Sequence, residues 1–233
     1  MKSLFLAAIA ASLAFPLPAL AAEVDPEVPA ITPAGVKPKI KPKNVPAADG
    51  DSLLQPDVSV IDAPTTAVLD YGGYSAQSRF FARGGLLQFI SFGVFQNVNL
   101  GGSLTLDGLI GDDRDVRVRQ PGVQFKWRFY DGDRSFPSVA LGFDGQGMQW
   151  NGLTRRWNQR QRGFFVVATQ ELGLPGFQVH PSFNVSDFDT NQIYGSIPLS
   201  LNIKDKVSIL TEWDNINNFR DSRYNAGIRA YVT

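Results

Sequence analysis

The single histidine of this chain, His180, stands two residues before Ser182 and four before Asn184. In an extended strand, side chains two apart share a face, so imidazole, hydroxyl and amide would line one wall. Such a set could perform nucleophilic chemistry, the imidazole taking the hydroxyl proton while the amide fixes the ring. Its surroundings argue against that. Phe177, Val179, Phe183 and Val185 alternate with Gln178, His180, Ser182, Asn184 and Ser186. The three groups therefore belong to the ordinary polar side of a half-apolar strand, and wall residues are the better reading.

Charge falls on the same polar parity. Lys126, Arg128, Glu212 and Arg229 share it, and Asp144 closes its own strand. Inside a narrow enclosed bore, opposite charges would pair across the space and shut it. The alternative is a constriction selective for a small solute. A second cluster, Trp150, Arg155, Arg156, Trp157, Arg160 and Arg162, combines guanidinium groups with aromatic faces. It suits phosphate or an acidic glycan. Asp187-Phe188-Asp189-Thr190-Asn191 begins like a calcium loop, but Gln192 stands where glycine is needed and Pro198 where a carboxylate is needed. Asp112, Asp113 and Asp115 read as turn charges beside Arg114. No metal site and no cofactor are expected, and the absence of cysteine removes disulfides and thiolate ligands.

The elements that must position these groups are strands. Val98, Leu100, Leu104 and Leu106 oppose Asn99, Gly101, Ser103 and Thr105. Val123, Phe125, Trp127 and Phe129 oppose Gln124, Lys126, Arg128 and Tyr130. Ile193, Ile197, Leu199, Leu201 and Ile203 oppose Tyr194, Ser196, Ser200 and Asn202, and Tyr224, Ala226, Ile228 and Val232 oppose Asn225, Arg229 and Tyr231. With less regular strands near 70–81, 86–95, 138–144, 164–171 and 207–214 the count reaches about ten, each near the length a tilted strand needs to cross a bilayer.

Three segments follow. Residues 1–21 have a positive start at Lys2, an apolar run from Leu4 to Phe15 and the small-residue pattern Ala19-Leu20-Ala21, which predicts a secretory signal peptide cleaved after Ala21. Residues 22–62 carry recurrent prolines and no periodic apolar pattern, predicting an extended tether. Its basic centre, Lys37-Pro38-Lys39-Ile40-Lys41-Pro42-Lys43, could touch an acidic glycan or peptidoglycan, although a solvated linker is the simpler reading. Residues 63–233 hold the strands. Lys and Arg together equal Asp and Glu at 22 each, so there is no general attraction to nucleic acid, and the secretory route also argues against it.

One apolar face per strand suits either a soluble sandwich or a membrane barrel. Three features favour the barrel. Short connections at 96–97, 131–137, 172–176 and 204–206 interleave with longer ones at 108–121, 145–163, 187–192 and 215–223, the short Ala82–Gly85 turn being the exception. The polar face is mostly Ser, Asn, Gly, Thr and Gln. Tyr71, Tyr74, Phe80, Phe95, Tyr130, Phe143, Phe177, Trp213 and Tyr224 fall near strand ends, where interfacial aromatics belong. The expected fold is an antiparallel up-and-down transmembrane β-barrel of about ten strands.

The stretches Thr66–Gly72, Ile90–Phe95, Leu109–Gly111, Phe129–Gly132 and Ala140–Gly145 make the chain resemble uncharacterised outer-membrane β-barrel proteins of diderm bacteria, barrel domains associated with exopolysaccharide among them. The resemblance implies an outer-membrane location with the tether in the periplasm. Such barrels usually end on an aromatic residue, whereas this chain ends Tyr231-Val232-Thr233. The expectation is a non-enzymatic envelope component, structural or interacting, in polysaccharide handling or narrow-pore transport, with outer-membrane lipid and lipopolysaccharide as partners. The alternatives are an outer-membrane lipolytic enzyme using His180 and Ser182, and a secreted glycan-binding β-sandwich.

Overall fold

Period-two alternation with β-branched and aromatic residues on one face specifies strands, and strands are what form. The computed structural model describes residues 56–231 apart from 112–114, 134, 149, 154, 158–161, 187–191, 218–219 and 221. The strands are β1 (Tyr74–Phe81), β2 (Gly85–Phe95), β3 (Val98–Asp107), β4 (Arg117–Val118), β5 (Gly122–Tyr130), β6 (Ser138–Asp144), β7 (Trp150–Asn151), β8 (Arg156–Trp157), β9 (Gly163–Glu171), β10 (Phe177–Val179), β11 (Ser182–Ser186), β12 (Ile193–Ile203), β13 (Val207–Ile216) and β14 (Arg223–Ala230). Among the described residues there is no α-helix.

Twelve strands make one antiparallel sheet, and β7 and β8 form a separate small hairpin. β4 runs with β5 along β3, and β10 with β11 along β12, so the sheet has ten rows, each paired with its neighbour in sequence. Among the described residues no ladder joins β1 to β14. Pro181 cannot donate, and it interrupts the row between β10 and β11. The pairing persists across the gap, with His180 N bonded to Pro198 O and Ala168 N to Pro181 O.

The burial of this sheet is inverted relative to a water-soluble protein. Val123, Phe183 and Ile228 are 65%, 63% and 75% exposed, whereas Ser182, Ser208 and Glu212 are 2%, 1% and 1% exposed. The same contrast holds in β3, where Asn99, Ser103 and Thr105 are buried and Leu100 and Leu104 exposed, while in other rows Leu87, Phe89, Phe165, Val167 and Leu210 join the polar residues on the buried side. A flat sheet would leave both faces open. Here the mainly polar face is buried and the apolar face looks outward.

The row ends differ. At one end, the turn end, the connections 96–97, 131–137, 172–176 and 204–206 are short, as expected. At the opposite, loop end lie the connections 108–116, 145–162, 187–192 and 217–222, together with the brief 82–84 turn. Residues 57–62, read as linker from sequence, belong instead to the folded unit. The stretch 57–70 lies against the enclosed face, because its backbone finds partners there that a solvated tether would lack. It leaves at the turn end, where Gly72 N bonds to Gly93 O and Gly93 N to Gly73 O, both at 2.8 Å. A Cβ on Gly93 would come within 2.0 Å of Asp70 O, so only glycine admits this close approach.

Candidate functional site

The enclosed face and the segment that fills it form the site. Asp57 to Leu69 makes a narrow hairpin, with Val60 N bonded to Ala63 O, Thr65 N to Val58 O, and a bridge between Ser59 and Pro64. A tight turn of this kind leaves amides at its tip unsatisfied. Ile61 N, Asp62 N and Ala63 N all donate to Glu212 Oε2, at 3.3, 3.1 and 2.9 Å. The other oxygen, Glu212 Oε1, accepts from Asn225 Nδ2 at 3.2 Å. A buried carboxylate is held in place by charge-assisted bonds of this sort.

The carbonyls of the hairpin meet cations. Lys126 Nζ donates to Val58 O at 2.6 Å and Ala67 O at 3.2 Å. Arg229 Nη2 donates to Ser59 O and Val60 O at 3.0 and 2.8 Å, and Arg229 Nη1 pairs with Asp57 at 2.6 Å. On the opposite edge of the sheet, Arg79 in β1 pairs with Asp62 and donates to Ile61 O at 2.6 Å. Both edge strands thus hold one segment. Near the turn end, Thr66 bonds to Ser138 and Thr169, and Leu69 N donates to Asn99 Oδ1 at 3.0 Å. Beyond β14 the Tyr231 hydroxyl donates to Asp57. Burial, reinforced by that carboxylate, raises the phenol above its ordinary value, so it stays a donor through neutral pH.

The expectation of charges pairing with each other across the interior needs correction: they pair chiefly with the hairpin. Lys126, Glu212 and Arg229 bind it directly, and Asp144 lies beside it, accepting from Gln146 and sharing a cavity wall with Lys126. Arg128 is a rim residue at the turn end, paired with Asp131 at 2.8 Å. That cavity, about 40 Å3, lies beside the hairpin, with Ser59, Gln77, Arg79, Asn99, Gln124 and Asp144 among its walls. It has room for about one or two waters.

The hydrolytic arrangement does not assemble. His180 Nδ1 meets Thr169 Oγ1 at 2.9 Å, and Nε2 meets Ser200 Oγ at 3.0 Å. Ser182 Oγ instead shares a 2.5 Å hydrogen bond with Ser196 Oγ. Asn184 is buried one further step along the row. These contacts are cross-strand rungs of the enclosed face.

The arginine and tryptophan loop folds inward. Trp150 and Trp157 meet edge to face at 5.2 Å, with Arg119 over Trp150 at 5.8 Å and Arg162 over Trp157 at 5.7 Å. Trp157 is buried against Gly147, where a Cβ would approach the indole to 2.3 Å. Gly147 O accepts from Thr105, an inward residue of β3, at 2.6 Å. Arg162 also bonds Gly145 O. The two described indoles thus pack on each other and on Gly147 at the loop end, while Arg155 is exposed. Arg160, the Arg156 side chain, and the Asp187–Asn191 and Asp112–Arg114 stretches lie outside the described residues.

Asp57, Asp62 and Arg79 were not singled out in the sequence. The signal for Arg79 was its parity with Ser75 and Gln77 in β1. Asp57 and Asp62 carried none, because no periodic pattern surrounds them. Comparison with known families, characterised proteins and solved structures finds no match to this chain.

Proposed function

We propose that this chain is an outer-membrane β-barrel whose interior is filled by its own Asp57–Leu69 hairpin, acting as a non-enzymatic anchor between outer membrane and periplasm. The observation that carries this reading is the inverted burial: apolar side chains outward, Ser, Asn, Lys and Glu enclosed. In water such a surface is strongly unfavourable, whereas in hydrocarbon it is the stable arrangement. Curling the ten rows into a barrel would enclose the polar face, and the shared hold of Arg79 and Arg229 on one hairpin supports this by joining the two edge strands through a common partner.

Dimensions support it. The full rows, eight to eleven residues in β1 and β2, would span roughly 20–28 Å at the usual rise and tilt, matching an apolar band of about 25 Å. Outward aromatics gather at both levels: Phe80, Phe143 against Phe164, and Trp213 stacked on Tyr224 at the loop end; Tyr74, Phe95, Trp127 and Tyr130 at the turn end. The hairpin begins and ends at the turn end, so the tether before Pro56 starts there, in the periplasm. Extended, it reaches on the order of 100 Å, enough to meet an acidic wall glycan. At the loop end, Arg155 would face lipopolysaccharide.

The lipolytic reading lacks its Ser–His contact, and the sandwich reading requires the apolar face to be buried. The test is fractionation and electrophoresis. The protein is expected in the outer-membrane fraction and should migrate faster unheated than boiled. Recovery in the soluble fraction without detergent would overturn the proposal.

A further inference from the structure

We infer that the Asp57–Leu69 hairpin is a withdrawable plug and that the bore it closes passes small anions, with Arg79 and Arg229 as the selective pair; this rests on the barrel reading above. Three features of the contacts lead there.

The first is topology. The hairpin enters and leaves at the turn end: Asp57 lies by Tyr231, while Thr66, Leu69 and Gly72 lie by Ser138, Asn99 and Gly93. Withdrawal therefore needs no threading and no break in the sheet.

The second is the wall behind it. A permanent filling is served best by apolar contact, because buried ions gain little over well-packed hydrophobic groups. Here the deep contacts are Arg79 to Asp62, Glu212 to three amides, and Lys126 and Arg229 to carbonyls. Val60, Ala63, Val68 and Leu69 are also buried and hold the resting position. Every polar partner left behind is one that water can solvate.

The third is charge. Asp57 and Asp62 belong to the hairpin, so its departure takes two carboxylates out of the bore. Arg79 and Arg229, on the two edge strands, then lose their ion-pair partners. Lys126 retains Asp144 nearby, and Arg223 retains Asp214 at 2.8 Å. Glu212 opposes the two arginines with one charge, leaving a positive excess. With about ten rows the backbone radius is near 10 Å, so side chains leave a passage for small anions only.

The absence of cysteine allows a clean lock. A Cβ on Gly227 would sit 3.7 Å from Ile61 Cδ1, so the two positions face each other and Ile61→Cys with Gly227→Cys should be tied, plug to wall, by a short bis-methanethiosulfonate bridge. The experiment is single-channel recording of the full chain in planar bilayers under a potassium chloride gradient. Wild type should be silent. Asp57→Asn with Asp62→Asn should give discrete steps, anion permeability exceeding cation permeability by on the order of threefold. Adding the bridged cysteine pair to that variant should silence it, and reductant, which releases the bridge, should restore it. Arg79→Gln with Arg229→Gln should open the bore yet lose the anion preference. Silence of both unpaired variants, in protein that still shows heat-modifiable migration, overturns the plug and leaves the barrel standing. Cation preference in the Asp57→Asn, Asp62→Asn variant overturns the assignment of Arg79 and Arg229.

Discussion

Glu212 gathers several contacts of the interior at one carboxylate, since one of its oxygens accepts three backbone amides and the other an asparagine. Truncation to alanine leaves those amides buried without an acceptor, which costs on the order of 3 kcal/mol, whereas glutamine keeps an acceptor in place and should cost about half as much. The ordering is readable as the temperature at which the compact form gives way to the heat-modified form on electrophoresis, Glu212→Ala lowest, Glu212→Gln between it and wild type. Equal temperatures for all three would mean that the carboxylate does not hold the hairpin. Ser182 offers the contrast. Its hydroxyl is bonded to Ser196 rather than to His180, so Ser182→Ala should leave phospholipid release from detergent-solubilised protein at the background of wild type. A wild-type release that this change abolishes would restore the hydrolytic reading. The parity of His180, Ser182, Asn184, Lys126 and Glu212 was legible from alternation alone. Their partners were not, because a period of two fixes which side a residue takes and says nothing of what lies opposite.

Each row of the sheet carries its own test of which side meets lipid. Val166 in β9 is half exposed and Val167, next to it, fully buried with Ala140 and Phe165. On a sheet face that meets water Val166→Arg would be nearly neutral. On the lipid face near the middle of a row it costs roughly 2–4 kcal/mol, falling toward the interfaces. Val166→Arg is therefore expected to lower outer-membrane recovery and heat-modified temperature strongly, and Val123→Arg, near a row end, much less. Matching behaviour at both depths would argue against a bilayer. The strands and their connections were readable because alternation and turn residues are local signals. The burial of Trp157 was not: Trp150 and Trp157 in a run of arginines look like a display for phosphate, and only the packing of the Trp157 indole on Gly147 and Trp150 shows its placement.

At the scale of the whole molecule the folded unit reaches back at least to Asp57 rather than beginning after Asp62, and its edge can be located by truncation. Composition placed it late because prolines thin out gradually and the hairpin has no periodicity; its conformation is imposed by the wall it touches, from Arg79 in β1 to Arg229 in β14. A chain lacking residues 24–55 removes no contact described for the interior, so its heat-modified temperature should stay within about 2 °C of wild type. Extending the deletion through Asp70 strips the ion pairs of Arg79 and Arg229, the three amides on Glu212, the carbonyls on Lys126 and the amide on Asn99. Water can refill such an interior, so part of that loss is recovered and the sheet persists. The loss of the buried apolar side chains and the shared hold on the two edge strands is not recovered, and with several kcal/mol removed the temperature should fall by about 10 °C or more. Were the short deletion as damaging as the long one, the tether would have to pack on the barrel. Were both harmless, the hairpin would be a passenger, and its shared hold on β1 and β14 would count for nothing in the stability of the sheet.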